Sequence, residues 1–279
     1  MDYAADQAPH HGNHHGVADL LDLDAEVLQA FIDEVIDWVA PLSGSPRAIV
    51  DLGSGTGTWT VALAQHFADA TVTAVDVSES MLGRTRIKAD ERGVGDRVHT
   101  VLADLETGLL DIHADMFLAA LSLHEVTEKD QVLRDVLTAT RPGGIFVVIE
   151  MKAPPTFLPE DIGVGRPGLE LRIREAVEAA RRGVPLHPDW GPRLESAGFE
   201  SVGERSFEID PAPPYPESVA RYADTYLRRV RPELADTLDA DDLDALDGLL
   251  ADGPHGLRHR NDFVVRGSRT VWVARHPNA

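Results

Sequence analysis

The stretch that most constrains the fold is an apolar run that ends in an acid and three glycines at alternate positions. It reads Ala48-Ile49-Val50-Asp51-Leu52-Gly53-Ser54-Gly55-Thr56-Gly57, and residues 58–67 then carry apolar side chains at helical spacing. This pattern predicts a strand, a tight turn and a helix. Glycine suits such a turn because the backbone can approach a ligand that a Cβ would exclude. The helix that follows offers unpaired N–H groups at its N-terminus.

Further apolar segments follow the glycine turn, and helical segments separate them. The predicted strands are 70–76, 98–102, 114–123 and 145–150, and helices are predicted from about 78 and over 129–140. Strands that alternate with helices in this way predict a parallel, doubly wound α/β sheet. Open sheets of this kind bind ligands at the carboxyl ends of their strands.

Acidic residues stand at the carboxyl ends of two predicted strands. Asp76 lies about 20 residues past the glycine turn, where a doubly wound fold places the carboxylate that binds the two ribose hydroxyls of a nucleoside. A cap on the next helix is a second role for Asp76, and the two are compatible. Val77 and Met81 would offer apolar atoms to an adenine face. Asp104 could accept a hydrogen bond from an exocyclic amine beside Leu105, or be a solvated loop residue.

Composition excludes several classes of protein. The 279 residues include 47 acids against 26 bases, a formal charge of −21, and no cysteine. Such a charge repels nucleic-acid phosphates and favours a small neutral or cationic substrate. Without cysteine there are no disulfides or thiolate ligands. Because the chain shows neither an apolar run of about 18 residues nor a signal-peptide pattern, we expect a cytoplasmic protein with no membrane segment.

The N-terminal region divides into two predicted parts. Residues 1–16 place His10, His11, His14 and His15 among glycine, asparagine and proline, which predicts a flexible arm whose metal binding is adventitious, so no metal site is predicted. Residues 19–40 have apolar side chains at helical spacing and an acidic outer face, which predicts an amphipathic helix with a solvated acidic face. The pattern leaves open whether this helix covers the ligand or contacts a second subunit in a homodimer.

Five motifs in order carry a resemblance to a known family. They are the glycine turn at 50–57, Asp76 with Met81, Asp104-Leu105, Leu123-His124-Glu125-Val126 and Arg141-Pro142-Gly143-Gly144. Together they resemble the class I S-adenosylmethionine-dependent methyltransferases of the small-molecule type over residues 47–150. Residues 190–202 also resemble that family's helix and Ala-Gly-Phe turn before strand six, and 269–275 resemble its closing antiparallel strand.

The resemblance implies a Rossmann-like, doubly wound, mostly parallel sheet of seven strands, with the last strand antiparallel between strands five and six. It implies one domain over 17–279, with its core at about 47–150, 191–210 and 262–276. The additions to this core are helical segments at about 151–190 and 211–261. Since they follow strands five and six, they are predicted to lie beside the carboxyl ends of the sheet as lids over a substrate.

The resemblance also implies S-adenosyl-L-methionine as cofactor and S-adenosyl-L-homocysteine as product. The glycine turn would pack against the methionine part, supported by Asp51, and Asp76 would bind the ribose. Val77, Met81 and Leu105 would enclose adenine, Asp104 would accept from its amine, and Leu121 would lie near the sulfonium. The implied cofactor residues are Asp51, Gly53, Ser54, Gly55, Gly57, Asp76, Val77, Met81, Asp104, Leu105 and Leu121.

Methyl transfer from a sulfonium is an in-line displacement that needs alignment and exclusion of water more than a particular side chain. A base would assist a hydroxyl acceptor. His124 is the candidate catalytic residue by position, and a structural histidine beside the cofactor is the alternative. The candidate substrate residues are Glu150, His187, Trp190 and Tyr215.

The sequence therefore predicts a methyltransferase that acts on an oxygen or nitrogen atom of a small molecule. One alternative is a protein of the same fold that binds S-adenosylmethionine without transferring a methyl group. Another is a nicotinamide-dependent oxidoreductase. Thr58 disfavours this last class because the longer dinucleotide fingerprint has Gly or Ala at that position.

Overall fold

A seven-stranded sheet runs through the centre of the molecule in the computed structural model, which describes residues 14–108, 112–151, 153–180 and 189–278. The strand order is β3-β2-β1-β4-β5-β7-β6. The strands are β1 Ala48–Leu52, β2 Thr71–Asp76, β3 Val98–Leu102, β4 Ala114–Ala120, β5 Thr140–Met151, β6 Glu200–Ile209 and β7 Gly267–Arg275. Neighbouring strands from β3 through β5 are parallel, whereas β7 is antiparallel to both β5 and β6. The predicted fold class is confirmed.

Helices cover both faces of the sheet. They are α1 His14–Val27, α2 Gln29–Ser43, α3 Thr58–His66, α4 Glu79–Glu91, α5 Lys129–Ala139, α6 Leu169–Ala180, α7 Trp190–Ala197, α8 Ser218–Val230 and α9 Ala240–Leu250. Because both faces are covered, β1 is buried from Ile49 to Leu52 and reads as a continuous apolar run apart from Asp51. Within the described ranges, no helix combines the length and apolarity needed to cross a bilayer.

The N-terminal region differs from its prediction. The single helix expected over 19–40 is two helices, because the backbone breaks at Leu28 between α1 and α2. α1 packs on α8, whereas α2 packs on α3 and on strands β5 and β6. The chain therefore changes direction between the two helices. α1 also begins at His14, inside the arm predicted over 1–16. Residues 1–13, with His10 and His11, lie outside the described residues.

Two strands differ from their predicted bounds. The fourth strand, expected to reach residue 123, ends at Ala120 because Leu121 adopts a φ of +56° and leaves the pleat. β5 begins at Thr140 rather than at 145. It takes in the predicted turn at 141–144, because Thr140 pairs with Ala114 and the pairing with β4 resumes at Ile145, opposite Met116, after a register shift.

The helical additions share the core of the sheet. The first core cluster joins α2 and α3 to α6, α8 and α9 on one face, and within it the rings of Phe157 and Tyr222 lie 4.7 Å apart, edge to face. The second cluster lies on the other face, under α5 and α7. The segments after β5 and β6 are therefore anchored to the core of the sheet by apolar packing. Their role as lids over a substrate stays a prediction.

Candidate functional site

The glycine turn lies at the carboxyl end of β1, between the ends of β2 and β4. The amides of Gly53 and Ser54 donate to the Val75 carbonyl at 2.8 and 3.0 Å. On the other side, the Ser122 hydroxyl donates to the Leu52 carbonyl at 2.7 Å. A Cβ on Gly53 would overlap the Ser122 side chain, and Gly53 has a φ of +68°. This position therefore requires glycine for both conformation and space.

Asp76, at the end of β2, holds the glycine turn in place. One carboxylate oxygen accepts from the Gly55 amide at 2.8 Å and the other from the Ser78 amide at 2.9 Å. Ser78, not Asp76, is the N-cap of α4, and its hydroxyl accepts from the Met81 amide. Because a carboxylate offers about four acceptor positions, Asp76 keeps acceptor capacity for ligand hydroxyls.

The predicted adenine-binding residues gather at the ends of β2 and β3. Asp76 and Leu102 are register partners, and the Ala103 amide donates to the Asp76 carbonyl. Val77 is 67% exposed, while Leu105 is buried at the start of a short 3₁₀ helix. The Asp104 carboxylate caps that helix through the Glu106 amide at 2.9 Å. This end of the sheet thus presents an apolar surface beside two carboxylates.

Asp51 of β1 lies under the glycine turn and binds the helix that follows it. Its buried carboxylate accepts a hydrogen bond of 2.6 Å from the Thr60 hydroxyl in α3. Burial raises the pKa of Asp51 to about 7, with a further contribution from the charge of Asp76, although the Thr60 bond opposes the shift. Asp51 therefore fastens the first turn of α3 to β1.

A histidine and a glutamate meet at the ends of β4 and β5. After Leu121, whose amide donates to the Ile149 carbonyl at 2.9 Å, a 3₁₀ helix places His124 beside Glu150. His124 Nδ1 lies 3.1 Å from Glu150 Oε2, and Glu150 is 1% exposed. His124 Nε2 lies 3.3 Å from Glu125 Oε1 on the opposite side of the ring.

Burial of the imidazole disfavours its charged form, but hydrogen bonds and charge from Glu125 and Glu150 prevail and raise the pKa of His124 to about 9. At neutral pH the imidazole is therefore protonated. The sequence analysis singled out His124 and Glu150 separately. His124 follows β4 and Glu150 lies near the end of β5, and these two strands are adjacent and parallel. That placement is the sequence signal that could have predicted their contact.

α1 covers the glycine turn, and sequence reasoning left this placement open. A Cβ on Gly55 would lie 3.0 Å from Leu21 Cδ1 of α1. Asp22 of α1 forms an ion pair of 2.8 Å with Lys88 of α4, whose ammonium also reaches Thr56 at 3.3 Å. The outer face predicted to be solvated is thus partly used for internal contacts.

The end of α1 is tied to β7 and α8. Asp24 accepts bonds of 2.5 Å from Arg269 and from the Tyr222 hydroxyl. Arg269 is 3% exposed, and its guanidinium lies 5.1 Å from the centre of the Phe31 ring. A buried guanidinium needs such a partner because an unpaired charge is costly to bury. Sequence reasoning missed these residues, whose positions in the chain are far apart.

The remaining candidate substrate residues are Trp190, Tyr215 and His187. Trp190 is fully buried in the second core cluster, where its ring packs between α7 and the sheet. Its role as a substrate contact stays a prediction. Tyr215 is half-buried against the first core cluster. His187 lies outside the described residues.

Two features define the class I methyltransferase fold. One is the sheet order, in which β7 lies antiparallel between β5 and β6. The other is the glycine turn after β1, followed by an acid at the end of β2. Residues 49–144 match the family model described as a methyltransferase domain. The chain therefore contains the domain of a class I S-adenosylmethionine-dependent methyltransferase, a transferase, as the motifs predicted.

Named proteins agree with this classification. The chain is 33% identical over 167 residues to the ubiquinone/menaquinone biosynthesis C-methyltransferase UbiE of Shewanella frigidimarina, covering 55% of this chain and 66% of that relative. A putative methyltransferase structure from Bacillus halodurans aligns with a TM-score of 0.56 and 18% identity, over 88% of this chain and 99% of that one. The [4+2]-cyclase SpnF aligns with a TM-score of 0.52 and 20% identity, over 90% and 82%.

S-adenosylmethionine is the cofactor of this family, and the residues at the strand ends fit it. Ser54 lies in the glycine turn, and its Oγ is buried without a hydrogen-bond partner among the described residues. Asp76 keeps acceptor capacity beside the exposed Val77 side chain. Such a site suits a ligand with polar and aromatic parts. The Ser54 hydroxyl and the Asp76 carboxylate can bind polar groups, and the apolar surface can contact an aromatic ring.

Proposed function

We propose that this protein transfers the methyl group of S-adenosylmethionine to an oxygen or nitrogen atom of a small molecule, and that a hydroxyl is its preferred acceptor. The observation that carries the preference is the pair of His124 and Glu150, 3.1 Å apart at the ends of β4 and β5. An amine offers a lone pair without first losing a proton. A hydroxyl is a weak nucleophile until a base takes its proton, which is the function of such a pair.

Glu150 is proposed to fix the ring and tautomer of His124. In the neutral imidazole, Nδ1–H would donate to Glu150, and Nε2 would then be the acceptor for the substrate proton. The bound cofactor supplies the methyl group and leaves as a neutral thioether. The proton of the hydroxyl ends on His124, whose positive charge Glu150 balances.

The cofactor residues are proposed as the sequence analysis assigned them. The glycine turn, including Gly57, would face the methionine part, with Asp51 fastening it and Leu121 near the sulfonium. Asp76 would bind the ribose hydroxyls. Val77, Met81 and Leu105 would enclose the adenine, and Asp104 would accept from its amine. The support is that all these residues stand at the carboxyl ends of β1 to β4 or directly after them.

The acceptor is proposed to bind between this edge and the helices that follow β5 and β6, with Tyr215 as a contact. The formal charge of −21 favours a neutral or cationic acceptor and disfavours nucleic acid. A cytoplasmic location and a homodimer stay predictions.

Carbon is a second candidate for the atom methylated. The relative from Shewanella frigidimarina is named a C-methyltransferase. Removing the proton of a phenolic hydroxyl places negative charge on ring carbons as well as on oxygen, so the same base would serve both outcomes. A reaction without methyl transfer is the other alternative, since a structure with this fold is named a cyclase.

Calorimetric titration with S-adenosylmethionine and S-adenosylhomocysteine tests the cofactor site. We expect Asp76→Ala to weaken binding by about 1.5–3 kcal/mol, roughly 10- to 150-fold, because charged hydrogen bonds to the ribose are lost. The control is Asp69→Ala, an exposed carboxylate before β2 at the opposite edge of the sheet. Equal affinity in wild type and Asp76→Ala would contradict the assignment.

Product analysis with ¹³C-methyl cofactor tests the reaction. Phenols, amines and quinols are offered as acceptors, and NMR distinguishes O-, N- and C-methyl products. We expect His124→Gln to slow transfer to a phenol by roughly 10²–10⁴-fold, the usual contribution of a general base, with little effect on an amine. Cofactor binding with no methylated product, from this panel or from a cell extract, would favour the non-methylating alternative.

A further inference from the structure

The two carboxylates that contact His124 differ in their exposure to solvent. Glu150 is 1% exposed and binds Nδ1, whereas the side chain of Glu125 is 81% exposed and lies 3.3 Å from Nε2. The imidazole of His124 therefore contacts a buried carboxylate, Glu150, on one side and a solvent-exposed carboxylate, Glu125, on the other. A base that takes a proton in each turnover must release it before the next, and the exposed acid contacts the nitrogen that would carry it.

We infer that Glu125 is a positioning residue that carries the proton of His124 Nε2 between the site and bulk water. This inference rests on the proposed function, in which His124 is the base. Before methyl transfer, Glu125 accepts the Nε2 proton and passes it to water, which leaves neutral His124 with Nδ1–H donated to Glu150. Methyl transfer then returns the hydroxyl proton to Nε2 and restores the imidazolium with which the cycle began. Each turnover therefore releases one proton to water, which matches the conversion of a hydroxyl and a sulfonium into a methyl ether, a neutral thioether and a proton.

The other charged groups that the described residues place around His124 have different partners. Lys129 of α5 donates to the carbonyls of His124 and Val126, so its ammonium faces the backbone and not the ring. Glu106 accepts from the Thr127 and Glu128 amides. Arg269 acts on Glu150 through its charge. Within the described chain, Glu125 is the carboxylate that reaches Nε2 from the solvent side.

The test compares Glu125→Gln with wild type, and uses Glu128→Gln as a matched control in an exposed glutamate nearby. Because a carboxylate that favours the imidazolium is removed, the rise of kcat/KM with pH is expected to move to lower pH. At the same time, kcat is expected to become dependent on buffer concentration at constant ionic strength, since a small buffer base replaces Glu125. Glu128→Gln should show neither response.

A merely structural role for Glu125 would lower activity at every pH without buffer dependence. The inference is overturned if either response is absent in Glu125→Gln. A measurement without turnover separates this inference from the proposed function. ¹⁵N NMR of histidine-labelled protein bound to S-adenosylhomocysteine, assigned with His124→Gln, follows the exchange of Nε2–H with water, which should be several-fold slower in Glu125→Gln. If Nε2–H exchange is slower in Glu125→Gln but no acceptor is methylated, the proposed function is contradicted and the proton route through Glu125 is not.

Discussion

At Gly57 the backbone has a φ of +80°, and the position a Cβ would take faces Thr85 of α4. A Cβ there would lie 2.5 Å from Thr85 Cγ2 and 2.6 Å from its hydroxyl. Gly93, just after α4, has a similar φ of +69° but nothing within 4 Å of its Cβ position. The two glycines thus separate the effect of backbone conformation from the effect of close packing.

Gly57→Ala is expected to lower the free energy of unfolding by more than Gly93→Ala. The left-handed conformation costs a non-glycine residue about 1–2 kcal/mol at either position. Overpacking against Thr85 adds roughly 1–3 kcal/mol at Gly57 alone. Urea denaturation of both variants measures the difference. Equal losses would show that Thr85 moves aside and that packing is not what requires this glycine.

At the scale of elements, α1 joins parts of the fold that are far apart in sequence. Asp22 connects it to α4, and Asp24 connects it to β7 and α8. Leu21 lies against the glycine turn. The ion pair of Asp24 with the buried Arg269 is the contact whose loss leaves a buried charge without its partner.

Asp24→Asn is expected to loosen α1. Asparagine keeps a hydrogen-bond acceptor but not the charge, so we expect a loss of about 1–3 kcal/mol in the free energy of unfolding. Hydrogen exchange by mass spectrometry should show faster exchange in α1 and little change in β1 and β4. Glu26→Gln, in the exposed part of the same helix, is the control. Unchanged exchange in α1 would mean that its apolar contacts alone hold it in place.

At the scale of the whole molecule, the formal charge of −21 gives the protein a negative overall field. S-adenosylmethionine has a net positive charge at neutral pH because of its sulfonium, whereas S-adenosylhomocysteine has none. A negative protein attracts the first through the solution and not the second. The charge balance therefore favours uptake of the cofactor over rebinding of the product.

The association rate of S-adenosylmethionine is expected to fall on raising the ionic strength from about 0.01 M to 0.15 M, because the Debye length shortens from about 30 to 8 Å. The rate for S-adenosylhomocysteine should change little. Stopped-flow measurement of both ligands supplies the comparison. The same salt dependence for the two would show that the site contacts, and not the overall field, control association.

Local pattern was sufficient for most of the fold. The strand, turn and helix around the glycine turn were predicted because backbone preference and apolar periodicity are encoded over a few residues. The same holds for β3 at 98–102, whose bounds were predicted as found. The acids at 76 and 104 were placed at strand ends for the same reason.

Only the tertiary structure decided which of these residues meet. His124 and Glu150 are 26 positions apart, and Asp24 and Arg269 are 245 apart, so neither pairing follows from local preference. The break at Leu28 depends on what α1 and α2 each pack against. By itself, the sequence determined a doubly wound α/β domain, because that depends on periodicity and on glycine, and its five motifs gave the resemblance to the methyltransferases. The paired charges and the α1 cover depended on which strands and helices became neighbours.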